Sequence, residues 1–252
     1  MAVTELLIAH AEHQFYGVER LALHLGWSEK KARRIRTLAG ITITRPNKKK
    51  PYNGSTPAEI AAAPNALKRF AVLRDASHPQ LGMSYSAMTE SGGWVQDFTH
   101  LWFRGYHYYL AVVMDLKTRQ VLGWRLGLRH SSELTHEALL DALSKYPAPT
   151  ILHSDQGTEY LSYKHKLTCE RMEITLSCST RASPWQNGFM ERFFGSFKLE
   201  LGDLNRHQEV AQFHESVALT MFYYNTKRIH SALKMSPAAY AATLSEKRQG
   251  VH

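Results

Sequence analysis

The sequence predicts an α/β fold built on a mixed five-stranded sheet flanked by helices, with a helix-turn-helix-like module before it and a helical region after it. Three observations carry this expectation. Residues 1–44 hold two short helical patterns around a glycine-containing turn. From residue 93 the pattern changes to strands. Short strands and helices then alternate up to about Gly202, giving the order β-β-β-α-β-α-β-α. Hairpins followed by right-handed crossovers make such a sheet mixed, and helices cover it. The expected domains are 1–44, a linker and weakly patterned segment over 45–88, a core over 89–202 and a helical end over 203–252.

In the first module, Val18, Leu21, Ala22 and Leu25 recur at i, i+3, i+4 and i+7, which is one face of a helix. Gly26 and Trp27 break the pattern. Ser28 suits the N-cap of a second helix running to about Leu38, and Gly40 suits its stop. That helix carries Lys30, Lys31, Arg33, Arg34 and Arg36, read as a DNA-facing set rather than a merely solvated basic face. Residues 45–57 combine three prolines, a lysine run and an Asn-Gly turn signal, which marks a linker. Residues 58–88 show Ala-rich helical stretches without a firm pattern.

Strands are expected over 94–99, 106–115 and 120–128, with a turn at 115–119. Ser132 can cap a helix striped by Leu139, Leu143 and Tyr146 and ended by Pro147 and Pro149. A buried strand over 150–154, a helix over 158–172 and a strand over 173–179 follow. After a loop at 183–187, a helix begins near Asn187 and ends near Gly202. The last helical region covers about 206–244, broken near 226–236.

The chain has 252 residues, with 31 Lys and Arg against 22 Asp and Glu, a formal charge of +9. A surplus of that size points to a polyanionic partner. Cys169 and Cys178 are the only cysteines, which excludes a disulfide framework and fits a reducing cytoplasm. The N-terminus lacks the basic region of a signal peptide, and no apolar run is long enough to span a membrane. No phosphate-binding or dinucleotide glycine pattern is present.

Three acids carry the chemistry. Asp97 lies on the first strand. Asp155 lies at the end of a buried strand, where ligands gather in open α/β sheets. Glu191 lies early on the helix whose buried stripe is Met190, Phe193, Phe194, Phe197 and Leu201, so it points away from that stripe together with Gly195 and Lys198. Carboxylates are hard oxygen donors of the kind Mg²⁺ takes, and two such ions can hold both oxygens of a phosphodiester displacement. Bound cations would relieve the repulsion between the acids. Asp115 reads as a turn cap. His153 reads as a packed histidine on the face opposite Asp155. His10, His13 and His24 lack partner cysteines at zinc spacing.

Three stretches resemble one family: 94–99 (Trp-Val-Gln-Asp-Phe-Thr), 153–160 (His-Ser-Asp-Gln-Gly-Thr-Glu-Tyr), and 183–198, which holds Asn187-Gly-Phe-Met-Glu191-Arg192. They are similar to the DDE transposases of bacterial insertion sequences, most of all the OrfB-type proteins of the "IS three" family. The tail from Tyr223 to Tyr240 and the segment from Tyr16 to Gly40 are similar to that family as well. The resemblance implies an RNase H-like core of the retroviral-integrase type with Asp97, Asp155 and Glu191 as catalytic and metal-binding residues. It implies two Mg²⁺ or Mn²⁺ ions per site, 3′-end cleavage of an insertion sequence, and strand transfer into target DNA. Lys198, Arg192 and Asn187 are the expected DNA contacts beside the third acid. The expected setting is the bacterial cytoplasm, on the nucleoid, with a homo-multimer on DNA and an upstream OrfA-type partner or fusion. The alternatives are a nuclease of the same fold that only hydrolyses and a non-catalytic DNA-binding regulator.

Overall fold

A computed structural model of the protein describes residues 1–43, 64–66, 72–73, 83–84, 93–155, 157–179 and 188–249. The chain divides into two compact units. One comprises Met1–Gly54, Phe197–Gly202 and Ser216–His252, the other Ser55–Ser196 and Asp203–Glu215. No helix among the described residues is long and apolar enough to cross a membrane.

The helical unit begins with α1 (Ala2–Glu12), α2 (Val18–Leu25) and α3 (Glu29–Leu38). Local chemistry sets their ends. Gly26 takes the left-handed conformation after α2, at φ 64°. Ser28 caps α3 by accepting the Lys31 amide. Gly40, at φ 65°, closes α3 with bonds from its own amide to Thr37 O and from Ile41 N to Arg36 O. Ala9, Tyr16 and Leu21 form a small core with Leu25 and Ile229.

The second unit holds the sheet, of order β5-β4-β3-β6-β7. Its strands are β3 (Gly93–Phe103), β4 (Tyr106–Asp115), β5 (Val121–Gly127), β6 (Ile151–Ser154) and β7 (Thr175–Cys178). The first three form two antiparallel hairpins, and β6 and β7 add in parallel. The predicted mixed five-stranded sheet with flanking helices is therefore the observed one. A separate short pair, β1 (Val72–Leu73) with β2 (Met83–Ser84), lies in the segment that sequence patterning leaves open.

Helix α4 (Ser132–Leu143) covers one face. Trp94, Ala111, Val113 and Leu122 of the strands pack against its Leu134, Ala138, Leu139 and Ala142. Helix α5 (Tyr163–Arg171) adds Cys169 to the same core. Gln96, on the same face as Trp94, donates to Thr135 O at 2.6 Å. The intervening residues, Val95 and Asp97, face the other side.

Several boundaries differ from the sequence reading. Strand β3 runs on to Phe103, because Arg104 and Gly105 form a two-residue turn with φ of 46° and 85° that extends the hairpin. The cap of α4 is Ser131, not Ser132. The helix expected over 158–172 is broken: Thr158–Leu161 is a 3-10 turn, Ser162 is extended, and its hydroxyl caps α5 through the His165 amide. Glu173, at φ 55°, ends that helix and delays β7 to Thr175. Helix α6 (Gly188–Leu201) has its predicted stripe buried. Helices α7 (Val210–Thr226) and α8 (Pro237–Gln249) flank the predicted break.

The tightest sheet-to-helix approach is at Gly123. A Cβ there would lie 2.4 Å from Ala138 O and 2.5 Å from Ala142 N, both main-chain atoms that cannot swing away. Gly123→Ala is therefore expected to destabilise the sheet unit by about 1–3 kcal/mol. Gly195→Ala, on an open helix face with nothing near its Cβ, is expected to stabilise by up to ~1 kcal/mol. Urea unfolding of the two variants beside the parent chain checks both signs.

Candidate active site

Two of the predicted acids are set by strand pairing. β3 and β6 run parallel with Gly93 opposite Ile151, Trp94 opposite Leu152 and Val95 opposite His153. Continuing that register two residues sets Asp97 opposite Asp155. Adjacent strands lie about 4.8 Å apart, so these positions are lateral neighbours. Asp97 is mid-strand on β3, whereas Asp155 follows the last residue of β6. Both are half-buried. Asp97 Oδ1 accepts the Phe98 amide at 2.8 Å, and Asp155 Oδ1 accepts the Gly157 amide at 2.9 Å.

The surroundings add groups that sequence patterning misses. Glu159 is buried, and its Oε1 lies 3.1 Å from His130 Nε2. The His130 ring packs on Phe98 at 3.9 Å and stacks on Tyr109 at 5.5 Å. A Cβ on Gly157 would lie 2.3 Å from Glu159 Oε1, so the Glu159 carboxylate would have to shift to admit a side chain there. Tyr160 is fully buried and its hydroxyl finds no hydrogen-bond partner among the described residues. Burial, and then Asp97, Asp155 and Glu159, push its pKa far above the usual value. Burial is also the main cause that raises the Asp155 carboxyl; the Gly157 amide opposes it, Glu159 adds to it, and His130 offsets it. The signal available in the sequence was a second acid four residues past Asp155, inside a turn that buries it.

Asp97, Asp155 and Glu159 thus concentrate negative charge around the buried Tyr160, and Glu159 pairs with His130. Carboxylate oxygens are the donors a hard divalent cation takes, and Asp97 and Asp155 would supply them. Such an ion would favour the ionised form that burial disfavours at Asp155.

Glu191 is exposed on α6, as is Arg192. The start of that helix is held by the Arg119 guanidinium over the Phe189 ring at 3.9 Å. The carboxylates of Asp97, Asp155 and Glu191 are not gathered to within 4.8 Å of one another; among the described residues that distance is met by Glu12, His13 and His24. Lys198 is half-buried on the stretch of α6 that belongs to the helical unit. Asn187 lies outside the described residues. On α3, Lys30, Lys31, Arg33 and Arg34 are exposed and Arg36 is half-buried. Lys31 Nζ sits 3.9 Å from the centre of the Trp27 ring.

Two exclusions are explained. Asp115 Oδ1 accepts from Lys117 N, Thr118 N and Thr118 Oγ1, the work of a turn cap. His153 is buried, with its ring nitrogens 2.9 Å from Ser177 Oγ and 3.0 Å from Ser179 Oγ, and burial lowers its pKa to about 4. The reason given from sequence does not hold, because residues two apart on a strand share a face. His153 is separated from Asp155 instead by the end of β6 at Ser154 and by its own two serine partners.

Family models described as integrase core domain match residues 89–184 and 172–237. Over residues 89–237 the chain is similar to integrase core domains. Proteins similar to it include transposases of insertion sequences. It is 32% identical over 161 residues to the transposase of the element IS904 from Lactococcus lactis, a match covering 62% of this chain and 64% of that protein. The chain therefore spans a little under two thirds of that relative's length. InsK of the element IS150 from Escherichia coli is 27% identical over 92% of this chain and 80% of its own. Among solved structures, the catalytic core domain of HTLV-2 integrase in complex with magnesium aligns with a TM-score of 0.51 at 20% identity, over 60% of this chain and 95% of that one. The fold is accordingly RNase H-like.

The raised pKa of Asp155 in this integrase core has a consequence for stability. Folding favours its protonated form, so the folded state loses stability as pH rises through the interval between the unfolded and folded values. Asp155→Asn keeps an oxygen for the Gly157 amide and removes the charge. Without divalent ions, the variant is expected to melt at a higher temperature than the parent at neutral pH. The gain is expected to vanish near pH ~3, where both side chains are uncharged. Thermal unfolding at the two pH values checks this.

Proposed function

We propose that this chain is the transposase of an insertion sequence, acting on DNA as a polynucleotidyl transferase. The observation that supports the reading is the β3–β6 register, which leads toward Asp97 and Asp155, within a stretch similar to integrase core domains that also includes Glu191. Asp97, Asp155 and Glu191 would hold two Mg²⁺ or Mn²⁺ ions. When bound, these ions neutralise the acids, activate the attacking oxygen and stabilise the leaving one.

Two displacements at phosphorus follow. In the first, water attacks at an element end, the P–O3′ bond breaks, and a free 3′-OH remains. In the second, that 3′-OH attacks a phosphodiester of the target strand and expels its 3′ oxygen, joining the two DNAs. The chain's own residues orient the substrates for both steps. Asn187, Arg192 and Lys198 contact phosphates beside Glu191. The basic helix α3, with Lys30, Lys31, Arg33, Arg34 and Arg36, engages the element end, as its charge and its place after a tight turn suggest. Holding two ends at once calls for more than one copy of the chain. An OrfA-type partner or fusion would add to end recognition, acting in the bacterial cytoplasm on the nucleoid.

Asp97→Asn, Asp155→Asn and Glu191→Gln are each expected to lower cleavage and joining by roughly a thousandfold, the loss that several kcal/mol of transition-state charge stabilisation implies. DNA binding in gel-shift assays is expected to persist. Full activity in any one of them at saturating Mg²⁺ overturns the assignment of that residue, and cleavage by the parent chain without any joined product replaces the transposase reading with a nuclease. Lys198→Ala is expected to reduce the slope of log affinity against log salt by about 0.9, one phosphate's worth of released counterion. An unchanged slope removes Lys198 from the DNA contacts. The pair Arg33→Ala and Arg34→Ala is expected to weaken end binding in the same assay.

A further inference from the structure

A further cluster of ligating side chains lies within the helical unit. Glu12 is the last residue of α1, His13 is its C-cap, and His24 lies in the last turn of α2. Their ligand atoms all lie within 4.8 Å of one another. His13 Nε2 is 3.9 Å from Glu12 Oε2. The His24 ring meets the His13 ring edge-on, with centroids 4.6 Å apart.

The buried member is held in place from behind. The His13 ring stacks on Tyr16 at 4.3 Å, and its Nδ1 lies 2.7 Å from Tyr223 Oη. With Nδ1–H donating to that hydroxyl, the lone pair on Nε2 faces Glu12. Metal-binding imidazoles are oriented in this way by a partner on the other ring nitrogen. Glu12 and His24 are exposed, so the cluster opens to solvent and two of its three side chains can adjust. A tetrahedral ion with bonds of about 2.1 Å needs ligand atoms ~3.4 Å apart, within reach of small rotations here.

We infer that Glu12, His13 and His24 form a binding site for one divalent transition-metal ion of the Zn²⁺ type. Two imidazoles and one carboxylate match the ligand preference of Zn²⁺, Co²⁺ or Ni²⁺ rather than that of Mg²⁺. A fourth position is left for water. The bound ion clamps the end of α1 to the end of α2, and through His13 and Tyr223 it tightens α7. It thereby stiffens the module that presents α3. Arg20 and Lys227 lie close enough to oppose positive charge at His13, so the affinity is moderate. Sequence spacing passes over this site because its ligands carry no cysteine and are brought together only by the α1–α2 packing.

The test uses the full chain stripped of metal and titrated with Zn²⁺ in a calorimeter, with thermal unfolding in parallel. One equivalent is expected to bind and to raise the unfolding temperature. His24→Ala and Glu12→Gln, both at exposed positions that leave the core intact, are each expected to weaken that equivalent by at least about tenfold. Asp155→Asn is expected to retain it, which separates this site from the acids of the integrase core. Zn²⁺ binding that is the same in His24→Ala as in the parent overturns the inference, as does the absence of any stoichiometric Zn²⁺ binding by the parent below about 1 mM.

Discussion

The parallel pairing of β3 with β6 is the interaction on which the rest of the site depends. Asp97 and Asp155 are far apart in sequence, and each follows by two residues the last pair of that ladder, Val95 with His153. A slip of one residue would move Asp97 to the face that packs against α4, where Gln96 now donates to Thr135 O. The register is protected by burial on that face: Trp94 and Leu152 sit in the same core as Leu134 and Ala138. The close approach of β5 to α4 at Gly123 keeps the covering helix in place. Packing on one side of the sheet therefore fixes geometry on the other.

The arrangement sets chemistry against stability. Burial raises the Asp155 carboxyl, and Glu159 adds negative charge beside it. The offsetting groups are local: the Gly157 amide and the His130 ring, itself wedged against Phe98 and Tyr109. Tyr160 brings a buried hydroxyl with no partner among the described residues. Polar groups left this way destabilise a protein unless a ligand uses them. Under the proposed function, cations and phosphate oxygens would be the ligands that use these groups.

Much of this was legible in the sequence, and the reasons are specific. Caps and stops are local chemistry, so Ser28 and Gly40 could be read directly. The stripe of α6, from Met190 to Leu201, follows from helical period alone. Strand order followed from alternation of short strands with helices. What could not be read depends on contacts between distant segments. The extension of β3 to Phe103 rests on a two-residue turn and on Phe103 stacking with Phe213 at 4.8 Å. The break at Ser162 serves the burial of Glu159 and Tyr160, which no periodicity announces. The pairing of His130 with Glu159 and the cluster of Glu12, His13 and His24 are likewise products of packing.

The account stands on the claim that Asp97 and Asp155 share a cation across β3 and β6. Anomalous scattering from crystals of the protein grown with Mn²⁺ measures this directly. The expected result is a peak roughly 2–2.5 Å from a carboxylate oxygen of each aspartate. An ordered Mn²⁺ ion bound elsewhere, with neither Asp97 nor Asp155 as a ligand, would contradict it.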